Sequence, residues 1–134
     1  MTSMVLDSGA LSAWADGDHH VTAVLEAIRR EGQYVVVPTV VVAESTTGDG
    51  GRDATVNRLL RGVVLDDCDE PRARRAAALR YATRSAASIS VVDAIVAAAG
   101  EALGGMVLTG DPEDLGQLAG ASTDLKIISL DQLG

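Results

Sequence analysis

The sequence predicts a three-layer α/β/α domain around a central, mainly parallel sheet of about five strands. Three observations carry that expectation. Short runs dominated by Val, Leu and Ile alternate with longer helical stretches along the whole chain. The clearest runs, such as Val35-Val36-Val37, contain no polar residue, as in strands buried on both faces. Alternation of this kind builds parallel sheets through right-handed crossovers, with helices on both faces. At 134 residues the chain is expected to be one domain, 1–134, and a hydrophobic fraction of 47% is enough for a real core. Phe is absent, so that core is expected to be aliphatic.

Met4-Val5-Leu6 reads as the first buried strand. Asp7-Ser8-Gly9-Ala10 then turns into a helix, with Ser8 the expected cap and Ala10, Leu11 and Trp14 facing inward. Asp7 therefore lies at the carboxyl end of the first strand. Asp18-His19-His20 begins a second helix, on which Val21, Val24, Leu25 and Ile28 form an i, i+3, i+4, i+7 face. Adjacent histidines on a helix point about 100° apart, so His19 and His20 make a poor metal pair. Tyr34 to Val37 is the second strand. Pro38 ends it and can start a helix. Glu44 follows one turn later, on the same side as Val40 and Val41.

Thr46 to Arg52, containing Gly48, Gly50 and Gly51, reads as a flexible loop. Helix resumes from Asp53 to Arg61, and Val63-Val64-Leu65 is a third strand. The acids of Asp66-Asp67-Cys68-Asp69 are expected in a solvated turn. Glu70-Pro71 opens a helix bearing Arg72, Arg74, Arg75, Arg80 and Arg84. A solvated face explains these arginines most simply, and phosphate contact is the functional alternative.

Ser90 to Ala99 reads as a helix with Val92, Ile95, Val96, Ala99 and Leu103 on one face, stopped by Gly104-Gly105. Asp93 sits in its first turn among apolar neighbours. A carboxylate there must be exposed, capped, paired or bound to a cation. Met106 to Thr109 is a fourth strand. Asp111 then has the character of an N-cap, Pro112 suits the first helical position, and Asp114 lies three residues on. Ser90 and Asp93 also fit a capping box. Lys126 to Ser129 is the last strand.

In such folds ligands bind outside the carboxyl ends of the strands. Asp7, Glu44, Asp93 and Asp111 can all face one cleft there. Four converging carboxylates repel one another, and a hard divalent cation such as Mg²⁺ or Mn²⁺ relieves this. Ions held by carboxylates activate water and stabilise phosphoryl charge, so the implied chemistry is phosphodiester hydrolysis. Acid–base cleavage through a ribose hydroxyl has only His19, His20 and Lys126 to draw on, none with a recognisable partner.

The net charge of −8 argues against a protein that coats nucleic acid or anionic membrane by bulk attraction. Cys68 stands alone, which excludes an intrachain disulfide and fits a reducing cytoplasm. No apolar run reaches the roughly 18 residues of a membrane span, and no secretory signal is evident. The expected location is cytoplasmic.

Four segments resemble those of PIN domains, and most of all the VapC toxins of type II toxin–antitoxin modules. They are Val5-Leu6-Asp7-Ser8, Val42-Ala43-Glu44, Ser90 to Ala97, and Leu108 to Leu115. Their order and spacing run across nearly the whole chain. The resemblance implies a PIN-like fold, a pocket for Mg²⁺ or Mn²⁺, endoribonuclease activity, a VapB-like antitoxin and homodimerisation. By match, Asp7, Glu44, Asp93 and Asp111 carry over as catalytic metal ligands. Ser8, Thr109 and Asp114 carry over more weakly, as auxiliary groups. The stretch from about Gly48 to Ser88 matches no motif and is the expected region of target selection and of part of the antitoxin contact. Two alternatives stand beside this reading. One is a PIN-like binding or scaffold protein without catalysis. The other is a phosphatase with an aspartyl nucleophile at Asp7, whose pattern lacks its second Asp.

Overall fold

The computed structural model describes residues 3–83 and 88–134. Five strands form one sheet: β1 (Ser3–Leu6), β2 (Tyr34–Pro38), β3 (Val64–Asp66), β4 (Met106–Thr109) and β5 (Lys126–Ser129). Every pairing is parallel and the order is β3-β2-β1-β4-β5. β1 is central and completely buried, as its unbroken apolar run demands.

Among the described residues, seven α-helices and a closing 3-10 turn, Leu130–Leu133, complete the fold. The helices are α1 (Ser8–Ala15), α2 (His19–Arg30), α3 (Thr39–Ser45), α4 (Ala54–Leu60), α5 (Glu70–Tyr81), α6 (Val91–Ala102) and α7 (Pro112–Gly120). From β1 to β3 the chain steps one way across the sheet, and from β3 to β5 it steps the other way. Right-handed crossovers therefore put α1 to α4 on one face and α5 to α7 on the other. The packing agrees: α1 touches α2, α3 and α4, while α6 touches α5 and α7. This is the expected three-layer arrangement.

The inward faces of α1 and α2 are those the periodicity names. Ala10, Leu11 and Trp14 are buried, as are Val21, Leu25 and Ile28. The Arg29 guanidinium lies 5.1 Å from the centre of the Trp14 ring and donates to the Gly62 carbonyl. α6 departs from its predicted single face. Every residue from Ala94 to Gly100 is buried, because α5 covers the side that periodicity alone leaves to water. A Cβ added at Gly100 would stand 2.4 Å from Val107 Cγ2 and 2.9 Å from Leu125 Cδ1. Val107 is β-branched and stiff, so it cannot swing aside cheaply. Gly100→Ala is therefore expected to lose on the order of 1–2 kcal/mol in urea unfolding, although alanine is the better helix former. A gain in stability would contradict this packing.

Other local expectations are corrected. The cap of α1 is Asp7, the plain structural reading of an acid after a strand, and its carboxylate accepts from the Ala10 N–H; Ser8, the other candidate cap, is the first helical residue. The third strand starts at Val64 and runs to Asp66, which pairs with Arg72 at 2.9 Å. Asp69 caps α5, so two acids of the Asp66–Asp69 group have structural work in place of a solvated turn. The predicted flexible loop is held from within. The buried Asp53 carboxylate accepts from the Thr47 N–H, the Thr47 hydroxyl and the Gly48 N–H. Burial works to raise the Asp53 pKa, but these bonds outweigh it and hold the group below the usual carboxylate range.

Candidate metal centre

The direction of the chain across the sheet reverses between β1 and β4, and their carboxyl ends border a crevice. Two backbones meet there. A Cβ at Gly9 would lie 3.0 Å from Gly110 Cα, and a Cβ at Gly110 would lie 3.2 Å from Gly9 Cα. A side chain at either position would press the two backbones apart by a few tenths of an ångström.

Asp7 leaves the end of β1 and is 5% exposed. Its Oδ1 accepts from the Ala10 N–H at 2.8 Å. The Gly110 N–H donates to its carboxylate at 3.2 Å, and the Thr109 hydroxyl donates to Oδ2 in a short bond. The Thr109 oxygen also accepts from the Asp111 N–H at 2.7 Å. One hydroxyl thus ties the acid after β1 to the acid after β4. Asp111 caps α7 by accepting from the Asp114 N–H, with Pro112 at the first helical position. Across the crevice, Ser90 caps α6 by accepting from the Asp93 N–H. Two helix N-termini, α6 and α7, therefore carry the facing acids, and their dipoles partly offset the negative charge.

Asp93, Asp111 and Asp114 bring carboxylate oxygens within 4.8 Å of one another. Burial pushes the Asp93 carboxyl up to about 6. Repulsion from Asp111, Asp7 and Asp114 adds to this, and the Ser90 hydrogen bond opposes it. Asp114 is also raised, first by burial and then by Asp111. No ion pair among the described residues neutralises the group. Crowded carboxylates without a cation form an all-oxygen donor set, which suits a hard divalent ion.

The fold thus brings Asp93 and Asp111 together and sets Asp7 beside them. It also gives Asp114, singled out only weakly from the sequence, a place inside the tight group. Its signal was the three-residue spacing from Asp111, which puts both on one helical turn. Glu44 stands apart from that group. It is exposed on α3 and lines an adjoining cleft with Ser8 and Gly9. His19 and His20 lie elsewhere, beside Asp16 and Asp18. The arginine row on α5 is largely committed: Arg72 pairs with Asp66, Arg74 with Glu70 and Arg75 with Glu101, and Arg80 donates to the Ile89 carbonyl. This is the simpler of the two readings for these residues. Arg84 lies outside the described residues.

A parallel sheet of this order, with a group of acids where its direction reverses, defines an α/β protein whose carboxyl edge carries the candidate site. The PIN domain family profile matches residues 4–120, and the chain belongs to that family. Solved structures share the fold. VapBC2 from Rickettsia felis, crystallised bound to a DNA fragment from their promoter, is similar with a TM-score of 0.78 at 12% identity. That match covers 97% of this chain and 100% of that one. DNA-bound VapBC from Salmonella typhimurium gives 0.75 at 14% identity, covering 96% and 98%. FitAcB from Neisseria gonorrhoeae gives 0.65 at 19% identity, covering 93% and 96%. No curated protein matches the sequence. Among the described residues, no helix is long and apolar enough to cross a membrane.

Proposed function

We propose that this PIN domain is a metal-dependent endoribonuclease that acts in the cytoplasm as the toxin of a toxin–antitoxin pair. The observation that carries the reading is the unneutralised group of Asp93, Asp111 and Asp114, with Asp7 beside it, at the carboxyl edge of the sheet. Asp93, Asp111 and Asp114 would hold Mg²⁺ or Mn²⁺, Asp7 would fix the inner wall, and Glu44 would complete the site from α3. A bound ion would supply an activated water and would offset charge on the phosphate. The chain's own contribution is orientation. Ser90 fixes the start of α6, and Thr109 locks Asp7 to the Asp111 segment. The likeness to VapBC supports a VapB-like antitoxin as partner, and a homodimeric toxin belongs to the same reading.

The test is incubation of total cellular RNA with the purified protein, with Mg²⁺ and with chelator. Cuts that leave 5′-phosphate ends and vanish with chelator are the expected result. Intact RNA together with an empty Mn²⁺ titration would overturn the reading in favour of a binding protein.

A further inference from the structure

A cleft of about 610 Å³ opens between α1, α3 and α4, with Ser8 and Gly9, the residues after Asp7, on its wall. That volume lies within the range of small-molecule sites, about 300–1,000 Å³. Ser8, Ser12, Asp16, Glu44, Ser45, Arg52 and Thr55 supply the cleft's polar side chains. The Ser45 hydroxyl is buried without a hydrogen-bond partner, an arrangement that costs free energy until a partner arrives.

The distribution of free positive charge points to the same place. Among the described residues, Arg29, Arg30, Arg72, Arg74, Arg75 and Arg80 each have an ion-pair, hydrogen-bond or ring partner. The guanidinium groups of Arg52, Arg58 and Arg61 have none, and all three are exposed. They fall within the single stretch 52–61. Arg52 lines the cleft yet pairs with neither Glu44 nor Asp16, which line it too. Its backbone is fixed, because the Arg52 N–H donates to Asp49 while Asp53 pins Thr47 and Gly48. Arg58 is three residues beyond Thr55 on α4, so the two are neighbours on the helix surface. Among the described residues of a protein of net charge −8, the unpaired guanidinium groups therefore gather in one stretch at the cleft.

We propose that this stretch and the cleft it walls form the track for single-stranded RNA, with Arg52 pairing with the phosphate of a nucleotide next to the scissile bond. The inference rests on the nuclease reading and adds the substrate path to it. Arg pairs with phosphate oxygens through its planar fork. The cleft hydroxyls suit ribose hydroxyls and base edges. Ala15 and Val56 are the apolar side chains on its wall, too little to seat the apolar anchors of a peptide.

Kinetics on a short, fluorescein-labelled, random-sequence single-stranded RNA pool, at several salt concentrations, test it. Arg52→Gln is expected to raise KM about tenfold, more than it lowers kcat. It should also reduce the slope of log affinity against log salt by about 0.7, the loss of one phosphate contact. Arg52→Lys should restore the slope, and Lys126→Gln, on the far edge of the sheet, should leave it alone. An unchanged KM and slope in Arg52→Gln would overturn the track, and the more so if that variant instead bound the antitoxin poorly. A wild-type protein that neither binds nor cuts the RNA removes the nuclease reading itself, and the track with it. The two failures are distinct, since only the first leaves an active wild type.

Discussion

Replacing Asp93 by asparagine is expected to abolish metal-dependent RNA cleavage while making the metal-free protein more stable at neutral pH. An outer-shell partner of a metal ligand is worth roughly 10–100-fold in activity, so losing a ligand should cost more than about a hundredfold. The stability change follows from the raised pKa. In the fold the Asp93 carboxyl titrates at about 6 instead of 3.8. Below pH 3.8 the group is neutral in both folded and unfolded chains and costs nothing. As pH rises to about 6 the unfolded chain ionises first, so stability falls, and above that the full cost persists. After allowance for solvent screening of this half-buried group, the cost is on the order of 1–2 kcal/mol. Asparagine carries no charge and escapes it. In chelator at neutral pH, Asp93→Asn should melt roughly 3–6 °C above wild type. Mn²⁺ should raise the wild-type melting temperature and leave the variant's unchanged. Retained cleavage by the variant would sink the assignment of Asp93, and a lowered melting temperature would sink the electrostatic account.

Asp7→Ala is expected to behave in the opposite way and to unfold much more easily. The substitution strips the cap from α1 and leaves the Thr109 hydroxyl and the Gly110 N–H short of a partner. Loss of a cap costs about 1 kcal/mol, and each unsatisfied buried group about 1–3 kcal/mol. Gly110 is exposed and its N–H can turn to water, so the cap and the buried Thr109 hydroxyl together should cost roughly 2–4 kcal/mol in urea unfolding. Asp7→Asn keeps an acceptor oxygen and should lose less. Loss of activity in Asp7→Ala therefore does not identify a metal ligand, whereas loss in Asp93→Asn does. A fully stable Asp7→Ala would show that the bridge through Thr109 contributes nothing.

The strands were legible because burial on both faces leaves a simple trace in sequence. Met106–Thr109 and Lys126–Ser129 fall where the apolar runs place them. The helix starts that position the acids were legible as well, since Ser90, Asp111 and Pro112 have local chemistry that needs no tertiary information. What the sequence hid depends on neighbours distant along the chain. α5 buries the second side of α6. Arg75 finds Glu101, so the densest run of arginines is occupied and the sparser one on α4 is free. Asp53 looks like an ordinary helix start, and only the folded loop shows its carboxylate gathering the backbone of Thr47 and Gly48. Asp114 reads as a helix-start acid until Asp93 is brought to face it.

Trp14 is the only tryptophan, with two tyrosines and no phenylalanine beside it in composition. It stands near the end of α1, whose cap is Asp7, and it lies under the Arg29 guanidinium. The protein therefore carries its own optical probe, wired by one short helix to the acidic crevice. Emission excited at the indole comes from a single, known position. Titration of a divalent ion can be followed on the unlabelled chain, and any change of signal reports on the α1 end of the site.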